Sequence, residues 1–180
     1  MNRFMGLETD RLVLREMGPD DYEALLAVLG DPDNMRYYPY TFDEKRVRGW
    51  IGWNMERYGE DGFGLWAVCL KRTGEMIGDC GLTLQNIDGE MLPEIGYHIR
   101  RDCQRKGYAR EAARAVRDWA FEHTDYPALY SYCESANMPS FLTAEAVGMR
   151  FVKECPNESG GSHRVSGITR EAWEAERGRK

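Results

Sequence analysis

Long apolar runs are missing from this chain. No stretch approaches the roughly 18 apolar residues of a membrane span, and the opening MNRFMGLETDRL has no apolar signal core. A cytoplasmic location with no membrane partner is the expectation. Histidine is scarce: His98, His123 and His163 stand apart from one another and from cysteine, so no metal-ligand spacing exists and no metal is expected. Cys69, Cys80, Cys103, Cys133 and Cys155 include no C-x-x-C pair; odd in number and widely spaced, they read as reduced, mostly buried thiols. Basic excess is lacking too, since 24 Lys and Arg against 30 Asp and Glu leave a net charge of −6. That balance speaks against general nucleic-acid binding and for cationic partners. There is no internal repeat and no low-complexity tract. What remains is a chain of 180 residues with 42% hydrophobic and 12% aromatic content, enough for a full core and the size of a single domain over residues 1–180.

The densest pattern lies between Cys103 and His123, CQRKGYAREAARAVRDWAFEH. Ala109, Ala112, Ala113, Val116 and Ala120 recur at spacings of three and four, with Arg110, Arg114, Arg117 and Asp118 off that stripe, which predicts an amphipathic helix. Small apolar residues let such a helix lie close to a sheet. Gln104 to Ala109 precede it, where the first backbone N–H groups have no internal partner and an anion is favoured. Arg100, Arg101, Arg105, Lys106, Arg110, Arg114 and Arg117 concentrate positive charge there, against Asp102 and Glu111. A solvated helix face with a capping glycine would look the same. A P-loop is excluded because no Lys-Ser or Lys-Thr follows the glycine.

Around that helix the chain alternates short elements. A strand at 12–14 is followed by a helix from Pro19 to Leu29, with Tyr22, Leu25, Leu26 and Leu29 on one face. A Tyr- and Pro-rich connection, NMRYYPYTF, leads to a helix over 43–58. Strands at 63–70, 75–84 and 92–100 form an antiparallel meander, the last two joined by a looser turn at 86–90. A strand at 129–134, a helix at 140–147 and strands at 150–154 and 164–169 precede a charged tail.

Several of these stretches carry a resemblance. QRKGYA fits the Q/R-x-x-G-x-G/A pyrophosphate loop of the GNAT N-acetyltransferases, which bind acetyl-coenzyme A. Leu7 to Arg15, LETDRLVLR, is similar to the L-x-T-x-R-L-x-L-R opening of their RimJ/RimL-like branch. Glu75–Leu82 and Glu94–Ile99 resemble two of the family's strands, and Ile168–Trp173 its ending. Asn137, Ser140 and Gly148 match N-x-x-S-x-x-x-x-x-x-x-G. Ala144 departs from the superfamily pattern, which has tyrosine seven residues after the asparagine, so the usual tyrosine acid is absent from that position.

The resemblance implies an α+β fold, with a mostly antiparallel mixed sheet of about seven strands, splayed in the middle, and about four helices. The strand 94–100 would carry a bulge and part from its neighbour to admit the pantetheine arm. It further implies direct attack of an amine on the thioester of acetyl-coenzyme A in a ternary complex. The coenzyme would lie on Ile99, Arg100, Gln104, Arg105, Lys106, Gly107, Tyr108, Ala109 and Asn137. A backbone N–H near His98 or Ile99 would hold the oxyanion. Glu94 is the first candidate base, with His98 second and a purely structural role open for both; Ser140 is the candidate donor to the leaving sulfur. Tyr37, Tyr38 and Trp50 would line the acceptor cleft, or pack the helical layer. The acceptor would be a small-molecule amine or a protein N-terminus, and the protein a monomer or homodimer. A non-catalytic acyl-coenzyme A sensor of the same fold is the alternative from another class.

Overall fold

The computed structural model describes residues 6–157 and 160–178. Strands β1 (Leu7–Glu8), β2 (Leu12–Arg15), β3 (Leu65–Leu70), β4 (Met76–Ile87), β5 (Glu90–Ile99), β6 (Ala128–Glu134), β7 (Arg150–Pro156) and β8 (Ser162–Thr169) form one sheet in the order β1-β2-β3-β4-β5-β6-β8-β7. Helices α1 (Tyr22–Leu29) and α2 (Glu44–Glu60) lie on one face; α3 (Tyr108–His123), α4 (Met138–Ala146) and α5 (Arg170–Arg177) complete the chain. β3 and most of β4 are buried on both sides, which is why their sequences read as continuous apolar runs rather than alternating ones. Ala112, Ala113, Val116 and Ala120 of α3 pack with Trp66, Cys80, Leu82 and Ile95 beneath it. Leu25, Val28 and Leu29 of α1 and Val47 and Ile51 of α2 cover the other face against Leu65, Ala67 and Cys69.

The functional feature of the sheet is where pairing fails. All neighbours are antiparallel except β5 and β6, which run parallel and meet at a single register pair, Glu94 with Tyr130. Beyond Glu94 the two strands part. The expected bulge in β5 is not there: its ladder with β4 runs from Gly78↔Ile99 to Ile87↔Glu90 without a register shift. The gap therefore arises from strand divergence alone.

The structure adds eighth and fifth elements that the sequence pattern had not separated. β1 is two residues long, too short for periodicity to register. α5 lies where a charged tail was expected. Thr169 caps it, accepting from the Ala172 N–H, and Trp173 is 6% exposed, its ring 5.0 Å from Phe121 and its indole N–H donating to Asp118 at 2.8 Å. A Trp173→Ala variant should therefore lose about 3–5 kcal/mol of stability, against under about 0.5 kcal/mol for a solvated tail residue; urea unfolding measures the difference. The turn at 86–90 is also tighter than expected. Asp88 and Gly89 both have positive φ, 55° and 86°, the pair of conformations a two-residue type I′ hairpin demands and Asp-Gly supplies. Arg117 is not on a solvated face but 2% exposed, paired with Asp118 and Glu176 and donating to the Val147 carbonyl. α5 brings Glu176 and the turn after α4 brings Val147, so helix periodicity could not reveal those two partners. All five cysteines are free, four of them buried.

Candidate active site

The loop Gln104–Gly107 reaches α3 through two left-handed residues, Arg105 at φ 59° and Gly107 at φ 83°. Gly107 is the N-cap of α3 and provides no side-chain cap, so the helix's leading N–H groups point out of the loop without a side chain in front of them. The loop is held from a distance. Glu111, one turn into α3, accepts from the Thr9 hydroxyl at 2.6 Å, the Arg11 N–H at 2.9 Å and the Arg11 Nε–H at 2.7 Å. Arg11 also donates to the Lys106 carbonyl at 2.9 Å. These contacts, together with burial that acts in the opposite sense, leave the Glu111 carboxyl titrating below its ordinary value. Thr9 and Arg11 of the N-terminal motif are thus the clamp for the loop in the middle of the chain. Gln104 donates to the Ile99 carbonyl at 3.0 Å and to Asn34, tying the loop to the end of β5 and to the connection before α2.

On β5, Glu94, Gly96 and His98 share the face that looks toward α2. Their partners across the ladder are Thr83, Gly81 and Asp79. His98 Nδ1 lies 2.7 Å from Asp79 Oδ1, while the Trp50 indole N–H donates to Asp79 Oδ2 at 2.9 Å. Asp79 is fully buried, so both bonds satisfy a carboxylate that has left water. Burial works to lower the His98 titration, but the charge and hydrogen bond of Asp79 outweigh it and raise it above the ordinary value. Tyr38 and Trp50 stand 5.3 and 6.2 Å from the His98 ring. Glu94 is 8% exposed and accepts from the Thr83 hydroxyl at 3.3 Å. Its carboxyl bends over Gly96, where a Cβ would sit 3.1 Å from Glu94 Oε2. Burial raises its titration to about 7, with the nearby His98 charge and the Thr83 bond opposing.

The opposite face of β5 carries Tyr97. Its phenol donates to the Ser140 carbonyl at 2.7 Å and accepts from the Ser140 hydroxyl at 3.2 Å. Ser140 sits in the first turn of α4, where the Asn137 side chain accepts from its N–H at 3.3 Å. The backbone contributes as well. Arg100 N–H donates to the Ile77 carbonyl at 2.8 Å, so by antiparallel alternation His98 is bonded to β4 and the Ile99 N–H faces the gap.

Two cavities meet at this gap. One, about 480 Å³, runs over Ile99, Gln104, Arg105, Gly107, Tyr108, Ala109 and Arg110 to α4. The other, about 1090 Å³, lies on the α2 side, lined by Tyr37, Tyr38, Trp50, Thr83, Glu94 and Tyr132 among others. Tyr97, His98, Asn137 and Ser140 border both. Of the residues singled out in the sequence, Arg100 and Lys106 are not among the lining of either cavity. The Arg100 guanidinium is held by Asp102 at 2.6 Å and Glu75 at 2.8 Å, and Lys106 offers only its carbonyl, to Arg11. Sequence reasoning passed over Asp79, Thr83 and Tyr97, whereas Arg110 of the basic cluster does line the smaller cavity. Asp79 did leave a signal, as a lone carboxylate inside the apolar strand MIGDCGL. Among the described residues, no helix is long and apolar enough to cross a membrane and no group of His, Cys, Asp and Glu is placed to hold a metal ion.

Comparison with known proteins gives a consistent picture. Residues 11–150 match the family model described as an acetyltransferase (GNAT) domain. YkkB of Bacillus subtilis is 38% identical over 154 residues, covering 85% of this chain and 90% of that protein. YnaD of the same organism, named an N-acetyltransferase, is 29% identical and covers 84% and 88%. Among solved structures, a GNAT-family acetyltransferase from Bacillus anthracis superposes with a TM-score of 0.79 at 26% identity, covering 93% of this chain and 99% of that one. RimL, a ribosomal L7/L12 alpha-N-protein acetyltransferase in complex with coenzyme A, shares the fold at a TM-score of 0.75 and 14% identity over 91% and 97%.

Proposed function

The chain belongs to the GNAT acetyltransferase family, whose members are acetyl-coenzyme A-dependent acyltransferases, and from that premise we propose that it acetylates a primary amine by direct attack in a ternary complex. The observation that carries this reading is the shared wall. Tyr97, His98, Asn137 and Ser140 border both cavities, so a thioester entering from one side and an amine from the other would meet there without crossing bulk solvent.

The smaller cavity suits the coenzyme. Its phosphates would lie on the N–H groups of Gly107, Tyr108 and Ala109, with Arg105 and Arg110 among the cations that line the cavity; the Arg100 guanidinium is engaged by Asp102 and Glu75, and Lys106 contributes its carbonyl to the loop's shape. The coenzyme supplies an activated acyl group with a thiol leaving group. The Ile99 N–H, facing the gap, is the donor for charge developing on the carbonyl oxygen. Glu94 takes the proton from the amine, directly or through water: a carboxyl titrating near 7 is ionised for a useful fraction of the time at neutral pH yet basic enough to accept. His98, raised by Asp79, is charged more of the time and is better suited to orienting the site than to removing a proton. Tyr37, Tyr38 and Trp50 wall the acceptor side, where aromatic faces favour a cationic amine.

A poised, buried carboxylate in the acceptor cavity is what a catalyst needs and a coenzyme sensor does not. The continuous sheet supports treating residues 1–180 as one domain. RimL's named activity on a protein terminus puts an N-terminal amine beside small-molecule amines among the acceptors to be screened.

Thermal unfolding with acetyl-coenzyme A, coenzyme A, NAD and ATP tests the assignment. At a hundredfold excess over its dissociation constant a ligand stabilises by about 2.7 kcal/mol, which for a chain of this size is a rise of roughly 5–11 °C. Both coenzyme A forms should produce it, while NAD and ATP should not. A flat response to both coenzyme forms would remove the coenzyme site and the transfer mechanism together.

A further inference from the structure

Side chains alternate along β5, so Tyr97 leaves the strand on the face opposite to Glu94 and His98. Its phenol is anchored there by Ser140 in two ways, donating to the carbonyl at 2.7 Å and accepting from the hydroxyl at 3.2 Å. Ser140 is in turn set by the Asn137 cap of α4. Glu94 and Tyr97 therefore address one gap from the two faces of one strand, the carboxyl from the larger cavity and the phenol at its border with the smaller one.

Resting on the acetyl-transfer reading above, we propose that Tyr97 is a catalytic residue whose phenol O–H is the hydrogen-bond donor to the departing sulfur. When the C–S bond breaks, its electron pair goes to sulfur, the amine's proton goes to Glu94, and Tyr97 keeps its own proton. Burial holds the Tyr97 phenol well above its ordinary titration, whereas a free thiol titrates near 8.5. Full proton transfer from phenol to thiolate would run uphill; donation of a charge-assisted hydrogen bond does not. To make it, the phenol O–H turns from the Ser140 carbonyl to the sulfur, and the Ser140 hydroxyl continues to donate to the phenol oxygen. Ser140 is thus a positioning residue, acting through Tyr97 rather than on sulfur.

The test needs a readout other than turnover. The thiol of bound coenzyme A is titrated by its thiolate ultraviolet absorbance in wild type, Tyr97→Phe and Ser140→Ala, beside acetyl-coenzyme A affinity and kcat. A hydrogen bond to a charged group is worth about one to two pH units here, so the thiol should titrate that much lower in wild type than in Tyr97→Phe, with Ser140→Ala between them. Acetyl-coenzyme A affinity should stay within about twofold while kcat falls about tenfold or more, as expected when an interaction is made chiefly in the transition state. Identical thiol titrations in wild type and Tyr97→Phe would overturn the proposal. Should Tyr97→Phe fail to fold, Ser140→Ala decides, and a titration unchanged from wild type overturns it equally. Failure of the wild-type protein to bind coenzyme A would instead bring down the transferase reading itself, and this assignment with it.

Discussion

Replacing Gly107 by aspartate should abolish acetyl-coenzyme A binding, with a loss of at least about a hundredfold in affinity, while leaving the protein folded. The two halves of that expectation have different causes. Gly107 sits at φ 83°, where a residue with a Cβ is disfavoured by about 1–2 kcal/mol, and a Cβ there would lie 3.3 Å from Arg11 Nη2. Aspartate is among the residues that tolerate this region. As an N-cap it would also accept from the first N–H groups of α3, recovering part of the cost. Those are the groups proposed to hold the coenzyme's phosphates. The new carboxylate occupies the site and repels what should bind there: at about 4 Å and an effective dielectric of about 20, each like-charge contact opposes binding by about 4 kcal/mol. Calorimetric titration with acetyl-coenzyme A, paired with a melting curve of the variant, measures both halves. A folded variant with wild-type affinity would relocate the phosphate site.

Glu94→Gln should lower kcat by about a hundredfold or more, the scale of a general base, with acetyl-coenzyme A affinity within about twofold of wild type. The pH profile carries the sharper signature. In wild type, kcat/KM should rise through about pH 7 as Glu94 ionises. The acceptor amine adds a limb of its own, but that limb is common to both proteins, so the ratio of variant to wild type isolates the carboxyl. The ratio should fall as pH rises through 7 and then level off. A ratio independent of pH would remove Glu94 as the base and leave His98 in its place.

The same substitution should change stability in the opposite sense. Glu94 titrates at about 7 in the fold against an ordinary 4.5, so between those values the native state binds more protons than the unfolded chain. Stability drawn from the protonated form is complete below 4.5 and is lost as pH rises through 7. Glutamine carries no such penalty. At pH 8 the variant should be the more stable protein by on the order of 1–3 kcal/mol, while at pH 4 the two should be close. A protein that becomes less active and more stable by one substitution is holding a charge for its chemistry.

Much of this site was legible in one dimension because its parts are local. A glycine before an alanine-striped helix, with basic residues around it, describes an anion-suited turn within about twenty residues of chain, and Gln104, Gly107, Tyr108 and Ala109 do line one cavity. Most of the strands and the two long helices followed from periodicity, which each segment carries by itself, while the α+β class came with the family resemblance. Arg100 and Lys106 show where that reasoning stops. Both belong to the basic cluster, but spacing does not say which charges face the cavity: Arg100 is spent on its neighbour Asp102 and on Glu75, and neither Arg100 nor Lys106 lines a cavity once the chain is packed.

The amino-acid sequence alone determined most of the elements, the anion-suited turn and the family likeness, since backbone conformation, helix capping and residue spacing act over a few positions. The tertiary structure decided everything that needed two distant segments in one place. Thr9 is 102 positions from the Glu111 it clamps, Asp79 is 19 from His98, Trp50 is 29 from Asp79 and Tyr97 is 43 from Ser140. Divergence of β5 from β6 after a single register pair opens the space between the cavities. Burial lifts Glu94 into the neutral range, and alternation along β5 sends Tyr97 to the other side. A titration and a direction in space are properties of the packed surroundings, and those exist only once the chain has closed on itself.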